Sequence, residues 1–390
     1  MDWDETEIDV SALSGQLQLP VREKPAFLVC YPDMFHHYDP VLRQFRPEEV
    51  DLVLHACHGA EAELIAAARL RPYRWSLSTE LLATLTSYRW LVSQNYVDEH
   101  KLVLRGPDGG RSEFRRMLLS LLGRRNIRFM YGLGVDSWHL SGWNVLYDAF
   151  LCQGEFQARQ LGGFAGQKFL MGYPRFDAFF TQPFDKAAWL ARFGCDPAKP
   201  VLVWFSTIQM SHGVIDRFAA AVSRLSADYN VLVKPHPLSW NVEPDYVAAL
   251  DGLPFSAVIR EDLDNLILYQ LADHVLTDYG GTAFAALYTD RNLLLLDHPQ
   301  HPGHSSEDVL SSDSDCWLRR EIVHLGPDEA QRLPALLADA ALWQRQKQVR
   351  ATLRQLFFAP YYGNSAAVAA ALIRQLPELL QGPEAGPLGL

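Results

Sequence analysis

The sequence predicts an α/β protein made of two doubly wound, Rossmann-like domains facing a cleft, and three observations lead there. At 390 residues the chain is too long for one hydrophobic core and suits two domains of ordinary size. Short aliphatic or β-branched runs alternate with helix-length segments almost throughout, the pattern of parallel sheets covered on both faces. The alternation restarts after PFDKAAWLARFGCDPAKP (183–200), where three prolines flank one amphipathic helix and mark a junction. The first domain is therefore expected over residues 1–183 and the second over 184–390.

In the first half, strands are expected at 26–31 (AFLVCY), 51–56 (DLVLHA), 90–94 (WLVSQ), 101–105 (KLVLR), 127–131 (IRFMY), 148–152 (DAFLC) and 168–171 (KFLM). Segments 60–69 (AEAELIAAAR) and 113–123 (EFRRMLLSLLG) read as helices. In the second half, strands are expected at 201–205, 230–234, 257–260, 274–277 and 292–296, with helices at 213–226, 263–272 and 281–289 between them. A polar loop follows at 298–315, then three helices at about 327–340, 342–357 and 364–380. Those after residue 342 are expected to pack back on the first domain, and the tail QGPEAGPLGL is expected to fray.

Composition narrows the function classes. With 48% hydrophobic and 21% charged residues the chain reads as a globular enzyme, not a disordered one. A net charge of −11 argues against a nucleic-acid coat or firm attachment to anionic lipid, leaving at most peripheral membrane contact. Five cysteines (30, 57, 152, 195 and 316) stand singly with no CxxC pair, which points to reduced core thiols and a cytoplasmic location. The first twenty residues are acidic and lack a signal pattern, and no apolar run approaches the ~20 residues of a membrane span.

Ligands of doubly wound sheets bind beyond the strand carboxyl ends, so the residues following each strand carry the chemistry. Lys234-Pro235-His236-Pro237 follows the strand NVLVK and presents a cation and an imidazole from a stiff exit, a pair suited to a pyrophosphate. Standing alone, KPHP is equally a rigid turn. Further on, Asp278-Tyr279-Gly280-Gly281-Thr282 follows HVLT and opens the helix AFAALY, where free N–H groups and the helix dipole favour a phosphate. In the first half, Tyr131 to His139 (YGLGVDSWH) follows a strand. Asp136 or His139 there is the candidate base for deprotonating a hydroxyl acceptor, with Tyr131 orienting acceptor or phosphate. The pair His36-His37 after the first strand is placed to line the acceptor side, although a His pair in a loop more often is simply solvated. His298, His301 and His304 have poor geometry for a metal site, and Asp313 and Asp315 offer no DxD run on a strand, so neither metal nor cofactor is expected. Asn364 or Ser365 reads as the N-cap of the last long helix.

These motifs together resemble the CDP-glycerol glycerophosphotransferases, the teichoic-acid primases and polymerases, over about residues 125–375. That family has a KPHP after a strand and an "aDhliTDYSS" segment opening a helix toward a "kPiifld" strand. The counterparts here are Lys234–Pro237, Ala272–Gly281 and Asn292–Asp297. Its "GyPRxD" join appears as Gly172-Tyr-Pro-Arg175-Phe-Asp177, and Ser206-Thr207 stands in its "yaPTwR" loop. Three departures stand out: Gly280-Gly281 replaces the serine pair, Tyr131-Gly132 replaces the "HG" whose histidine is taken as the base, and Leu238-Ser239-Trp240 replaces a basic residue after KPHP.

The resemblance implies the two-domain GT-B architecture and a metal-independent transferase. Such an enzyme moves a glycerophosphate or sugar group from a cytidine-linked donor to a glycan or lipid-linked acceptor in cell-surface polysaccharide synthesis. Its donor contacts would be Ser206, Thr207, Lys234, His236, Asp278, Gly280, Gly281 and Thr282. A Kdo-type or other nucleotide-sugar glycosyltransferase, and a non-catalytic relative that has lost its base, are the alternatives the departures leave open.

Overall fold

The computed structural model describes residues 5–9, 19–56, 61–95, 99–106, 108–134, 136–208, 214–237, 239–260, 263–297 and 313–382. The chain divides into two compact units. Unit 1 holds residues 1–131, 142–177 and 359–390, and unit 2 holds 132–141 and 178–358.

Unit 1 is built on strands β2 (Val21–Arg22), β3 (Ala26–Val29), β4 (Asp51–Leu54), β5 (Arg74–Leu77), β6 (Ser87–Ser93), β9 (Gly123–Phe129), β10 (Ala149–Cys152) and β11 (Gln167–Leu170). They form one parallel sheet in the order β11-β10-β9-β6-β3-β4-β5, with β2 beside β6. Counted from β3, this is a doubly wound order that reverses between β3 and β6. The central strands β3, β4 and β10 are buried along their whole length, as continuous aliphatic runs require between two helical layers.

A second, small sheet in unit 1 departs from the sequence reading. β1 (Glu5–Asp9) lies parallel to β7 (Glu99–Arg105), which pairs antiparallel with β8 (Arg111–Met117). Residues 113–123, expected as one helix, are instead divided: β8 ends at Met117, a short helix spans Leu118–Leu122, and β9 begins at Gly123. Cross-strand charges explain the override of helical spacing. Lys101 Nζ of β7 meets Glu5 of β1 at 2.9 Å and Glu113 of β8 at 3.2 Å, and Arg111, two residues along β8 on the same face, meets Glu113 at 2.8 Å. Gly109, at φ +80°, turns the hairpin, and Asp108 accepts from the Gly110 N–H at 2.9 Å.

Unit 2 carries β12 (Val201–Ser206), β13 (Asn230–Pro235), β14 (Ala257–Val258), β15 (His274–Thr277), β16 (Asn292–Leu296) and β17 (His324–Leu325). All are parallel, in the order β14-β13-β12-β15-β16-β17, which is 3-2-1-4-5-6 within the unit. Leu202, Trp204, Val231, Val233, Leu276 and Leu294 face Ile215, Phe218 and Val222 of the helix Val214–Ser223 in one core. The order reverses between β12 and β15, which places Ser206-Thr207 beside Asp278.

The long helix Ala340–Phe357 belongs to unit 2, and Ser365–Arg374 to unit 1. The start of Ser365–Arg374 is held by the Gly172–Asp177 segment. Asp177 accepts from the Ser365 N–H at 3.0 Å and the Ala366 N–H at 2.6 Å, while the Tyr173 N–H donates to Ser365 Oγ at 3.0 Å. Gly172 has φ +77°, and a Cβ there would lie 2.3 Å from Ser365 Oγ, so glycine is required. Asn364 occupies the N-cap position, yet its side chain makes no cap bond among the described residues; Asp177 supplies it from a distance in sequence.

Candidate functional site

At the switch point of unit 2, Thr207 donates from both N and Oγ1 to Asp278 Oδ2, the backbone bond being 3.3 Å. Asp278 is fully buried, and desolvation raises its pKa against the opposing pull of the Thr207 hydroxyl. Ser206, one residue earlier, is also buried, at the end of β12.

On the neighbouring strand, Lys234 turns inward. Its Nζ donates to the Leu263 carbonyl at 3.0 Å, and the side chain is 6% exposed. One of its three N–H bonds is therefore spent on fixing the loop before the helix Asn265–Leu271. His236, just past Pro235, is half-buried and stands where the strand leaves the sheet.

The glycine turn after β15 is more crowded than its sequence implies. Gly280 has φ +81° and precedes the helix Gly281–Tyr288. Its N–H donates to Asp315 Oδ1 at 2.9 Å, so a protein carboxylate already sits at this helix entry. The close backbone approach that glycine permits is made by Gly134: a Cβ on Gly134, itself at φ +81°, would lie 2.6 Å from Gly280 Cα. Gly281 is exposed, and a Cβ there would meet only the Leu133 carbonyl at 4.0 Å. Thr282 turns its hydroxyl to Thr277 Oγ1 at 2.7 Å, and its carbonyl accepts from Tyr269 at 2.8 Å.

The segment 132–141 is part of unit 2, and Asp136 is its anchor there. Asp136 Oδ2 accepts from the Ser314 N–H at 2.8 Å and Oδ1 from Ser314 Oγ at 2.6 Å; Gly134 N–H donates to that same hydroxyl oxygen at 3.2 Å. Asp136 thus caps the helix Ser314–Glu321 together with Asp313, which accepts from the Asp315 N–H at 2.8 Å. Burial, then the charges of Asp315 and Asp136, push the Asp313 pKa up to about 6. His139 is buried at the end of the short helix Asp136–His139, its Nε2 4.0 Å from where a Gly132 Cβ would be. Tyr131 lies in unit 1, edge-on to His37 at 5.5 Å, and His37 Nε2 meets Arg175 Nη1 at 2.9 Å. Desolvation, with Arg175 beside it, lowers the His37 pKa well below the usual imidazole range, so this ring is neutral and partnered.

Four residues outside the site expected from the sequence complete the unit-2 edge: Ser314, Asp315, Arg319 and Asp297. Arg319 donates to Asp297 Oδ1 at 2.5 Å and to the Asp278 carbonyl, tying the exits of β15 and β16 together. The Asp313-Ser314-Asp315 run before WLRRE is an N-cap signal that locates this helix start. The helix begins inside the expected loop 298–315, and His298, His301 and His304 lie outside the described residues. Among the described residues, no group of three His, Cys, Asp or Glu is placed to hold a metal ion. None of the helices there is long and apolar enough to cross a membrane.

No family model matches the sequence, and no curated protein does. Solved structures do match. The wall teichoic acid polymerase TagF aligns at TM-score 0.64 and 13% identity over 93% of this chain and 91% of that one. UDP-GlcNAc 2-epimerase from Neisseria meningitidis bound to UDP-GlcNAc aligns at TM-score 0.56 and 10% identity, over 91% of this chain and 100% of that one. A putative UDP-N-acetylglucosamine 2-epimerase from Listeria monocytogenes aligns at TM-score 0.57 and 11% identity, over 93% and 98%. At these identities the likeness is one of fold: this chain has the GT-B architecture of two Rossmann-like domains.

Proposed function

We propose that this chain is a metal-independent GT-B transferase, which takes a glycerophosphate or sugar group from a cytidine-nucleotide donor held by unit 2 and passes it to a glycan or lipid-linked acceptor. One observation carries the reading. At the switch point, three adjacent strands end in Ser206-Thr207, Lys234-Pro235-His236 and Asp278-Tyr279-Gly280, where doubly wound sheets hold their ligands. A TagF variant soaked with CDPG has the same fold, at TM-score 0.60, which supports a nucleotide-linked donor.

In this reading His236 donates to the donor diphosphate, and Lys234 adds charge while positioning the Leu263 loop. Thr207, held by Asp278, shapes the seat between them. His139 is the better base of the two candidates, because both oxygens of Asp136 accept from Ser314. The Asp315 carboxylate on Gly280 favours a second reading, a non-catalytic relative of the fold, since a phosphate beside it meets like charge.

Calorimetry with CDP-glycerol, CMP-sugars and UDP-sugars tests the donor. His236→Ala is expected to weaken the bound nucleotide by about 1.5–3 kcal/mol, the scale of a hydrogen bond to a charged group. Unchanged affinity in that variant, or no binding by the parent, overturns the assignment. Binding without turnover selects the non-catalytic reading.

A further inference from the structure

At the opposite, amino-terminal edge of the unit-2 sheet is an open pocket of about 380 Å³, lined by His274, Asn292, Leu337, Trp343, Lys347 and Arg350 among others. It lies away from every residue assigned to the donor: His274 and Asn292 begin β15 and β16, whereas the donor residues follow the strand ends. The sequence builds its wall by helical spacing. Ala340, Trp343, Gln344 and Lys347 recur at three and four residues along Ala340–Phe357 and so share one face.

The lining mixes apolar and cationic side chains. Leu337, Ala338, Ala340 and Trp343 form an apolar side, and the Trp343 ring packs edge-on to His274 at 5.0 Å. Arg350, 3% exposed, pairs through Nε with Asp290 at 2.9 Å, yet its Nη1 has no hydrogen-bond partner among the described residues. His274, 9% exposed, has the same deficit at Nδ1. Buried polar atoms left in this way are costly and are commonly completed by a ligand or water. Lys347 is exposed at the rim. Of the carboxylates next to the lining residues in sequence, Asp290 pairs with Arg350 of the lining itself, whereas Asp273 is committed to Lys186 at 3.3 Å and to the Val201 N–H at 2.8 Å, and Asp339 to the Leu342 N–H at 2.9 Å. Asp290 offsets the charge of Arg350, so among the described residues the uncompensated cation of this lining is Lys347.

We propose that this pocket is a second ligand site, taking a small organic anion whose flat ring lies along Trp343 and whose phosphate or carboxylate is held by Lys347 and Arg350. Its volume falls in the range of small-molecule pockets. Burial lowers the His274 pKa to about 4, so the ring is neutral at pH 7 and its Nδ1 supplies an N–H or a lone pair according to tautomer. The site is independent of the donor reading.

Calorimetry on the full chain with four probes tests it: benzyl phosphate, phenylacetate, inorganic phosphate and benzyl alcohol. At least one aryl anion is expected to bind with Kd below about 1 mM, and whichever binds more tightly identifies the head group. Inorganic phosphate and benzyl alcohol, each lacking half of the ligand, are expected to bind at least about tenfold more weakly. Two changes at exposed positions, Lys347→Glu and Ala340→Trp, should each weaken the aryl anion by about tenfold or more, the first by charge and the second by filling the pocket. His236→Ala should leave it unchanged. The proposal is overturned if neither aryl anion binds, if inorganic phosphate binds as well as they do, or if both rim variants bind like the parent.

Discussion

Asp136 separates a structural from a catalytic role in a single position. Its carboxylate is 7% exposed and accepts two hydrogen bonds from Ser314, one at the amino end of the helix Ser314–Glu321. A bond to a charged group contributes about 1.5–3 kcal/mol, and loss of a helix cap costs about 1 kcal/mol. The two bonds share one carboxylate, and solvent recovers part of the loss. Asp136→Ala should therefore destabilise unit 2 by about 2–4 kcal/mol, and Asp136→Asn, which keeps one acceptor, by about half that. Both variants also remove a charge that raises the Asp313 pKa, so Asp313 should titrate below its value of about 6 in the parent. Urea unfolding followed by tryptophan fluorescence gives the stability, and carboxyl NMR titration gives the pKa. A loss below about 0.5 kcal/mol in Asp136→Ala would refute the capping role. Full stability with turnover abolished in Asp136→Asn would return this residue to catalysis.

Three further outcomes follow from the same geometry. Gly134→Ala should cost about 2–4 kcal/mol, because its Cβ meets Gly280 Cα at 2.6 Å and its φ is +81°, whereas Gly281→Ala should stay within about 1 kcal/mol; thermal unfolding compares the two. Asp177→Ala should loosen the helix Ser365–Arg374 by about 1–2 kcal/mol, seen as faster amide exchange in that helix and not in Ala340–Phe357. The raised Asp313 pKa favours the protonated folded state, so its contribution is full below the unfolded value near 3.8 and is lost as pH rises through about 6. Asp313→Asn should flatten that stretch of the stability profile, and a parent-like profile in this variant would contradict the assignment.

The periodic features of the fold were legible because they are local. HVLT at 274–277 and NLLLL at 292–296 are strands with the expected bounds, and Ala340–Phe357 lies within two residues of its expected helix. The hairpin around Gly109 was misread, since the apolar spacing of 113–123 outweighed a Pro-Asp-Gly-Gly turn signal in plain view. The role of the Gly172–Asp177 motif was hidden for a different reason. Its partner is Ser365, and only tertiary structure pairs a glycine with a hydroxyl so distant in sequence.

The Gly280 turn shows the same limit within the candidate site. Sequence correctly marks a strand end, a backbone that only glycine adopts easily, and a helix entry. It does not say what fills the space thereby opened. A phosphate, Gly134 and Asp315 all suit an N–H-rich glycine turn, and the structure assigns the contact to the latter two. Where the resembled family carries hydroxyls, this chain carries glycines that admit its own loop and its own carboxylate. Nucleotide affinity measured in Asp315→Asn is then the decisive comparison. If Asp315 merely caps the turn beside a working seat, removing the charge of this buried carboxylate should tighten a diphosphate ligand by about tenfold or more. If affinity is absent in both proteins, the carboxylate has replaced the phosphate rather than neighboured it, and the transferase reading fails with it.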